Sequence, residues 1–174
     1  MRYPYSKAPA PYDYVDNPPP ADGRKVIVSD TDHLIGNAGD YSWVWKSFTR
    51  GQNVNNYMEL RDLRVETPRL EQARRAMGDT RRFAERMNLA AVTPQPALSS
   101  SGYCLAARGA EYLVYQPNAG AEFSLGLQPG TYRYEWFSPA DGKATRADSI
   151  TATGHKQQFK PPQQGDAVLY LRKE

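Results

Sequence analysis

Glu111-Tyr-Leu-Val-Tyr115, then Phe123, Leu125 and Leu127, then Tyr132-Arg-Tyr-Glu-Trp136 follow one another in the chain, and their alternation decides the fold. Side chains in a strand point to opposite faces with period two, so Tyr112 and Val114 share one face while Leu113 and Tyr115 share the other. Phe123, Leu125 and Leu127 fall on a single face. Tyr132, Tyr134 and Trp136 do the same, with Arg133 and Glu135 between them. That last strand has one apolar and one charged face, the pattern of an antiparallel sheet wet on one side. Pro117-Asn118-Ala119-Gly120, Gln128-Pro129-Gly130 and Ser138-Pro139-Ala140-Asp141-Gly142 separate the runs and supply turn chemistry. Turns at this spacing predict a β-sandwich, with further strands over 144–152, 155–160 and 167–172.

Working outward, the 174 residues suffice for one medium domain or two small ones. The formal charge of +3 is too small to argue for nucleic acid. The excess sits in Arg69, Arg74, Arg75, Arg81, Arg82 and Arg86, set against Glu71, Asp79 and Glu85. Such a group could meet acidic polysaccharide or phosphate, although a solvated helix face is the usual explanation. Cys104 is alone, so neither an internal disulfide nor a cysteine-based zinc site is expected. His155 is isolated, no His, Asp or Cys spacing resembles a metal site, and no cofactor is expected. No stretch approaches the length of a membrane span, and Met1 to Lys25 holds no apolar run suited to a signal peptide. The sequence therefore assigns no compartment.

Residues 1–24 carry Pro4, Pro9, Pro11, Pro18, Pro19 and Pro20 among Tyr3, Tyr5, Tyr12 and Tyr14, which excludes helix and central strand. The expectation is an extended segment whose tyrosines pack on what lies beneath. Lys25-Val-Ile-Val-Ser29 predicts a strand buried on both faces, as in parallel sheets, ending in Asp30-Thr31-Asp32-His33. Residues 39–50 predict a helix, because Tyr41, Val44, Trp45 and Phe48 recur at helical spacing and Gly51 supplies the stop. A weaker strand signal covers Val54 to Leu60. Thr67-Pro68 starts a second helix running to about Asn88 on the stripe Leu70, Ala73, Met77, Ala84 and Met87. Gly78-Asp79 is expected to divide it in two. Thr93-Pro94-Gln95-Pro96 closes this region, and the sandwich is placed at 99–174.

Strand, helix, strand, helix makes two βα units, the repeat of an α/β barrel. A complete (β/α)₈ barrel takes about 250 residues. Fewer than a hundred precede Ser99. The region 25–98 is thus either a helical layer on the sandwich or the tail end of a barrel. The fold class is α+β: an incomplete (β/α) barrel end followed by an antiparallel β-sandwich.

Val26-Ile-Val-Ser-Asp-Thr-Asp-His33, Trp43-Val-Trp-Lys-Ser-Phe48 with Arg50-Gly51, Ala76-Met-Gly-Asp-Thr-Arg81 with Phe83-Ala-Glu-Arg-Met-Asn-Leu89, and Ser101-Gly-Tyr-Cys-Leu105 with Glu111 to Tyr115 stand in an order and spacing that has a family parallel. Together, over roughly residues 22–172, they resemble the C-terminal part of apiosidase-like glycoside hydrolases. Those proteins join a TIM barrel to a β-sandwich that the family's naming ties to collagen binding. The resemblance implies that 25–92 are the last two βα units of the barrel and that earlier barrel strands are missing. One departure stands out. Where the final barrel strand of the family should end in aspartate followed by proline, this chain has Tyr57-Met-Glu-Leu-Arg61.

Under that resemblance Asp30, Asp32 and His33 lie on the catalytic rim, which in a TIM barrel is the carboxyl end of the strands. Glycoside hydrolysis uses two carboxyl groups about 5 to 10 Å apart. Asp30 and Asp32 are too local to be that pair, so the expected role is orienting a sugar hydroxyl or His33, with the acid and nucleophile on earlier strands. The bland alternative is that an aspartate closes a turn and His33 is an interior histidine. Trp43 and Trp45 are candidates to stack on a sugar, with core packing as the competing reading. Tyr132, Tyr134 and Trp136 are expected to face the core.

Three functions follow: the C-terminal piece of a glycoside-hydrolase-like protein, inactive alone; a module binding plant or microbial carbohydrate or a collagen-like matrix ligand; or a domain that only braces a barrel. An exposed aromatic row would favour binding, and its burial would favour bracing. Nucleic acid and membrane partners are not expected, and the resemblance leaves a secreted or periplasmic parent open.

Overall fold

The computed structural model describes residues 8, 10–31, 39–55 and 68–174. The elements are β1 (Val28–Asp30), α1 (Tyr41–Thr49), β2 (Asn53–Asn55), α2 (Pro68–Arg86), β3 (Thr93–Pro94), β4 (Cys104–Ala107), β5 (Glu111–Gln116), β6 (Phe123–Gly126), β7 (Gly130–Ser138), β8 (Lys143–Ala152), β9 (Lys156–Phe159) and β10 (Ala167–Lys173). A six-stranded sheet in the order β3-β4-β5-β10-β7-β8 is the centre, with β6-β9 and β1-β2 as separate two-stranded sheets. Every pairing in the central sheet is antiparallel, whereas β1 and β2 pair in parallel. This is a mixed α+β fold whose sheets do not close into a barrel.

The layers follow from alternation. Leu113 and Tyr115 of β5, Phe137 of β7, and Val168 and Tyr170 of β10 point to one side, where they meet Trp43, Val44 and Trp45 of α1 and Ala76 and Phe83 of α2. Tyr112 and Val114, Tyr132 and Trp136, and Leu169 and Leu171 point to the other side, where Phe123, Leu125, Leu127 and Phe159 close over them. Helices, central sheet and the β6-β9 ribbon therefore form three layers with two cores. β5 is buried at every residue because it is covered on both faces.

Trp45 is the hub of the helical side, with ring centroids 5.7 Å from Phe83, 6.2 Å from Tyr115 and 5.7 Å from Phe137. Phe83 in turn lies 5.4 Å from Phe137 and 5.8 Å from Tyr170. Aromatic pairs in such stacked, tilted or edge-on geometries add to the burial term.

α1 begins where the Asp40 side chain accepts the Trp43 N–H at 2.6 Å, an N-cap. It ends at Gly51, whose φ of +73° suits glycine. A Cβ there would lie 2.8 Å from Pro94 Cγ, so the same glycine lets the helix end approach β3.

Gly78 and Asp79 do not divide the second helix. α2 is continuous from Pro68 to Arg86, with Ala76, Asp79, Thr80 and Phe83 buried across the supposed break. A mid-helix glycine costs about 1 kcal/mol, less than the burial on either side returns. Asp79 turns its carboxylate to Arg82, one turn on, instead of capping a new helix. Thr67, the expected cap, and most of the Val54 to Leu60 strand signal lie outside the described residues.

The first strand also differs from expectation. β1 covers only Val28–Asp30, and Val26 and Val28 are 81% and 61% exposed rather than buried. A parallel strand is buried when strands flank it and helices cover it; among the described residues β1 pairs with β2 alone. Thr93–Pro94, read above as closing the helical region ahead of a sandwich from 99, already pairs with β4. Pro94 is tolerated because β3 is an edge strand.

Of the proline-rich segment, Tyr12 lies 5.3 Å from the buried Arg50 guanidinium, with Tyr103 at 4.8 Å on the same group. The Trp43 indole N–H donates to the Tyr14 carbonyl at 2.8 Å. These contacts strap the segment to α1. Tyr3 and Tyr5 lie outside the described residues.

Candidate functional site

The carboxyl ends of β1 and β2 come together in register, with Asp30 opposite Asn55. The Thr31 N–H continues the ladder to the Asn55 carbonyl at 3.2 Å. Beneath them, the buried Ser29 hydroxyl donates to the Gln52 side chain, whose amide reaches the Pro19 carbonyl at 2.5 Å. The strand ends are thus held from below by a buried polar chain, while Asp30 above is exposed. Asp32 and His33 lie outside the described residues, as does Tyr57 to Arg61. Asp30 is one carboxyl group; a pair flanking a scissile bond is not assembled among the described residues. Nor does any group of three or more His, Cys, Asp or Glu gather there for a metal.

Trp43 and Trp45, the candidates to stack on a sugar, are 1% and 0% exposed. Both are core residues with no ring face open to solvent. Helical spacing with Tyr41 and Phe48 puts Trp45 on the face that meets the sheet, whereas Trp43, off that spacing, is buried with its indole N–H on the Tyr14 carbonyl. Tyr132 and Trp136, at 0% and 3% exposed, fill the opposite core with the partly buried Tyr134 packed beside them. The aromatic row is interior and offers no platform.

A polar cluster that the sequence did not reveal joins α1 to the sheet. The Tyr115 hydroxyl donates to Asp166 Oδ2 at 2.7 Å and lies 2.9 Å from Ser42 Oγ. The Tyr41 hydroxyl donates to Asp166 Oδ1 at 3.4 Å. Burial holds the Asp166 carboxyl above its ordinary range, opposed by these two hydroxyls. Burial beside that carboxylate pushes the Tyr115 phenol well up and the Tyr41 phenol up to about 12. The two phenols are thereby poor acids near neutrality, and both hydroxyls are aimed at the one carboxylate. The cluster is a fastening. Asp166 follows Gly165 in a stretch that resembles an ordinary turn, so no local pattern marks it.

A second fastening lies at the far end of α2. Glu111 accepts the Asn88 N–H at 2.8 Å and the Tyr170 hydroxyl at 3.0 Å, and burial raises the Tyr170 phenol to about 12. The α2 arginines are largely engaged: Arg81 with Glu85 at 2.9 Å, Arg82 with Asp79, and Arg86 with Glu135 at 2.5 Å.

Residues 93–172, from β3 into β10, match a family described as "Putative collagen-binding domain of a collagenase". No curated protein matches the chain. Among solved structures, one titled "Glycoside hydrolase" aligns over 94% of this chain and 41% of its own, with 11% identity and a TM-score of 0.57. A family 5 glycoside hydrolase from Bacteroides vulgatus ATCC 8482 aligns over 88% of this chain and 42% of its own, with 12% identity and a TM-score of 0.59. At these identities the likeness is one of fold. The chain spans about two fifths of the length of either structure.

Proposed function

We propose that this chain is the C-terminal part of a glycoside-hydrolase-like protein, in which 25–98 end a (β/α) barrel and 99–174 brace it. The observation that carries this reading is the shared core: Trp45 of α1 and Phe83 of α2 are buried against Tyr115, Phe137 and Tyr170 of the sheet. A sheet that spends one face on two helices and the other on β6-β9 is occupied as a brace, and both aromatic rows are interior. The unfinished β1-β2 ladder, with Val26 and Val28 exposed, supports a barrel whose other strands would lie beside it. The partial coverage of two glycoside hydrolase structures supports the same reading.

In this reading Asp30, with Asp32 and His33, lies on the rim and orients sugar hydroxyls, while the catalytic acid and nucleophile belong to strands outside this sequence. The partner is carbohydrate, and the remaining barrel is the structural partner. Purified chain should give no turnover on a panel of plant and microbial oligosaccharides. Turnover that vanishes in an Asp32→Asn variant would overturn the proposal.

The match over 93–172 favours a second reading, a collagen-binding module. A triple helix is a stiff rod of three extended chains. With β5 and the first five residues of β10 buried on both faces, it would have to lie along the exposed β8 edge or over loops.

A further inference from the structure

The register of β7 and β10 places Arg133 directly opposite Arg172. Like charges facing each other across two strands oppose pairing, yet the chain sets two arginines there. Alternation puts both on the helix side of the sheet, the side of Phe137 and Tyr170. α2 ends at Arg86, and past that end the sheet face is uncovered. What remains is a hollow of about 460 Å³ lined by Arg86, Arg133, Glu135, Ala147, Tyr170 and Arg172 among others.

The acids nearby are spoken for. Glu135 is bonded to Arg86, and Glu111, which faces Arg172 from β5, holds the Asn88 N–H and the Tyr170 hydroxyl. Asp148 pairs with Arg146 at 3.1 Å. Glu174 borders an adjoining hollow with Arg133 but forms no ion pair with it among the described residues. Arg133 and Arg172, both exposed, are left without an ion-pair or hydrogen-bond partner among the described residues. Arg86 is already oriented, stacked 4.9 Å from the Tyr170 ring and 5.2 Å from the Phe83 ring. The hollow carries three guanidinium groups against one committed carboxylate.

From this geometry we infer that the Arg133–Arg172 hollow is a binding site for the carboxylate of an acidic sugar unit. Guanidinium forks match the two oxygens of a carboxylate and bond them in pairs, which a point-like ammonium does not. The Tyr170 ring and Ala147 give the hollow an apolar side beside the charge, and its volume falls within the range of small-ligand sites. A pyranose ring bearing a carboxyl group presents both surfaces at once. The carboxylate half of the assignment stands on the arginines; the sugar half rests on the carbohydrate reading above.

The test is calorimetric titration of the whole chain with a galacturonate trimer, with the galactose trimer and a hexaglutamate peptide in parallel at low and moderate salt. The galacturonate trimer should bind, the galactose trimer should not, and the peptide should bind at least about tenfold more weakly. Arg133→Ala and Arg172→Ala should each weaken galacturonate by about tenfold or more, and the Lys variants should restore only part of it. Melting curves matching the parent would show that these exposed substitutions leave the fold intact. Failure of both the galacturonate trimer and the peptide to bind, or equal galacturonate binding by the double alanine variant, overturns the site. Equal binding of the galactose trimer overturns it too while leaving the carbohydrate reading in place. Arginine-dependent binding of the peptide alone keeps the anion site, overturns the sugar and counts against the carbohydrate reading.

Discussion

Trp45→Ala is expected to destabilise the chain by about 3–5 kcal/mol, the range for truncating a fully buried large aromatic. The ring is 0% exposed and touches α2 through Phe83 and the sheet through Tyr115 and Phe137. Its removal leaves a cavity bounded by three elements, none of which can collapse into it without leaving another. The melting temperature should fall by roughly 10 °C or more for a domain of this size. Trp45→Phe is the informative companion. The indole N–H is buried with no hydrogen-bond partner among the described residues, so phenylalanine loses volume but no hydrogen bond seen there and should cost distinctly less. Urea unfolding of the three proteins would check the order. An alanine variant that melts with the parent would mean that α1 is not packed on the sheet.

Trp136→Ala should cost a similar amount, about 3–5 kcal/mol, in the other core. Trp136 is 3% exposed, 6.0 Å from Phe123 and 6.4 Å from Phe159, and so ties β7 to the β6-β9 ribbon. Were the row a sugar platform, the variant would melt like the parent and lose carbohydrate binding. The burial predicts the reverse: a lower melting temperature, with binding at Arg133 and Arg172 retained at temperatures where the variant is folded.

The sheet was legible in the sequence to the level of individual faces. Leu113 and Tyr115 went to one core and Tyr112 and Val114 to the other, because period two is a local property that tertiary context did not override. α1 was legible for the same reason at helical period, with Gly51 as its stop. What failed was whatever depended on neighbours. Lys25 to Ser29 has the composition of a buried parallel strand, but burial needs flanking strands, and β1 has β2 alone among the described residues. Gly78-Asp79 carries a genuine break signal, outweighed by the buried surface on both sides. Leu89, an apolar residue just past α2, is 53% exposed because the chain turns away at Met87 and Asn88. Asp166 and the facing arginines were invisible for a different reason. Each depends on the pairing of β10 with β5 and β7, which join segments far apart in the chain. Asp30 is the last residue of β1, opposite Asn55, while Asp32 and His33 lie outside the described residues.

The central claim is that the helices and the sandwich are one cooperative unit, and native-state hydrogen exchange on the intact chain tests it most directly. Amides in α1 (Tyr41–Thr49) and α2 (Pro68–Arg86) should open with the same free energy as those in β5 and β10. Phe83→Ala, which removes a ring shared by Trp45, Phe137 and Tyr170, should lower all four by the same amount. Helical amides that exchange well before the sheet, with β5 and β10 unmoved by the substitution, would show two independent bodies and contradict the brace.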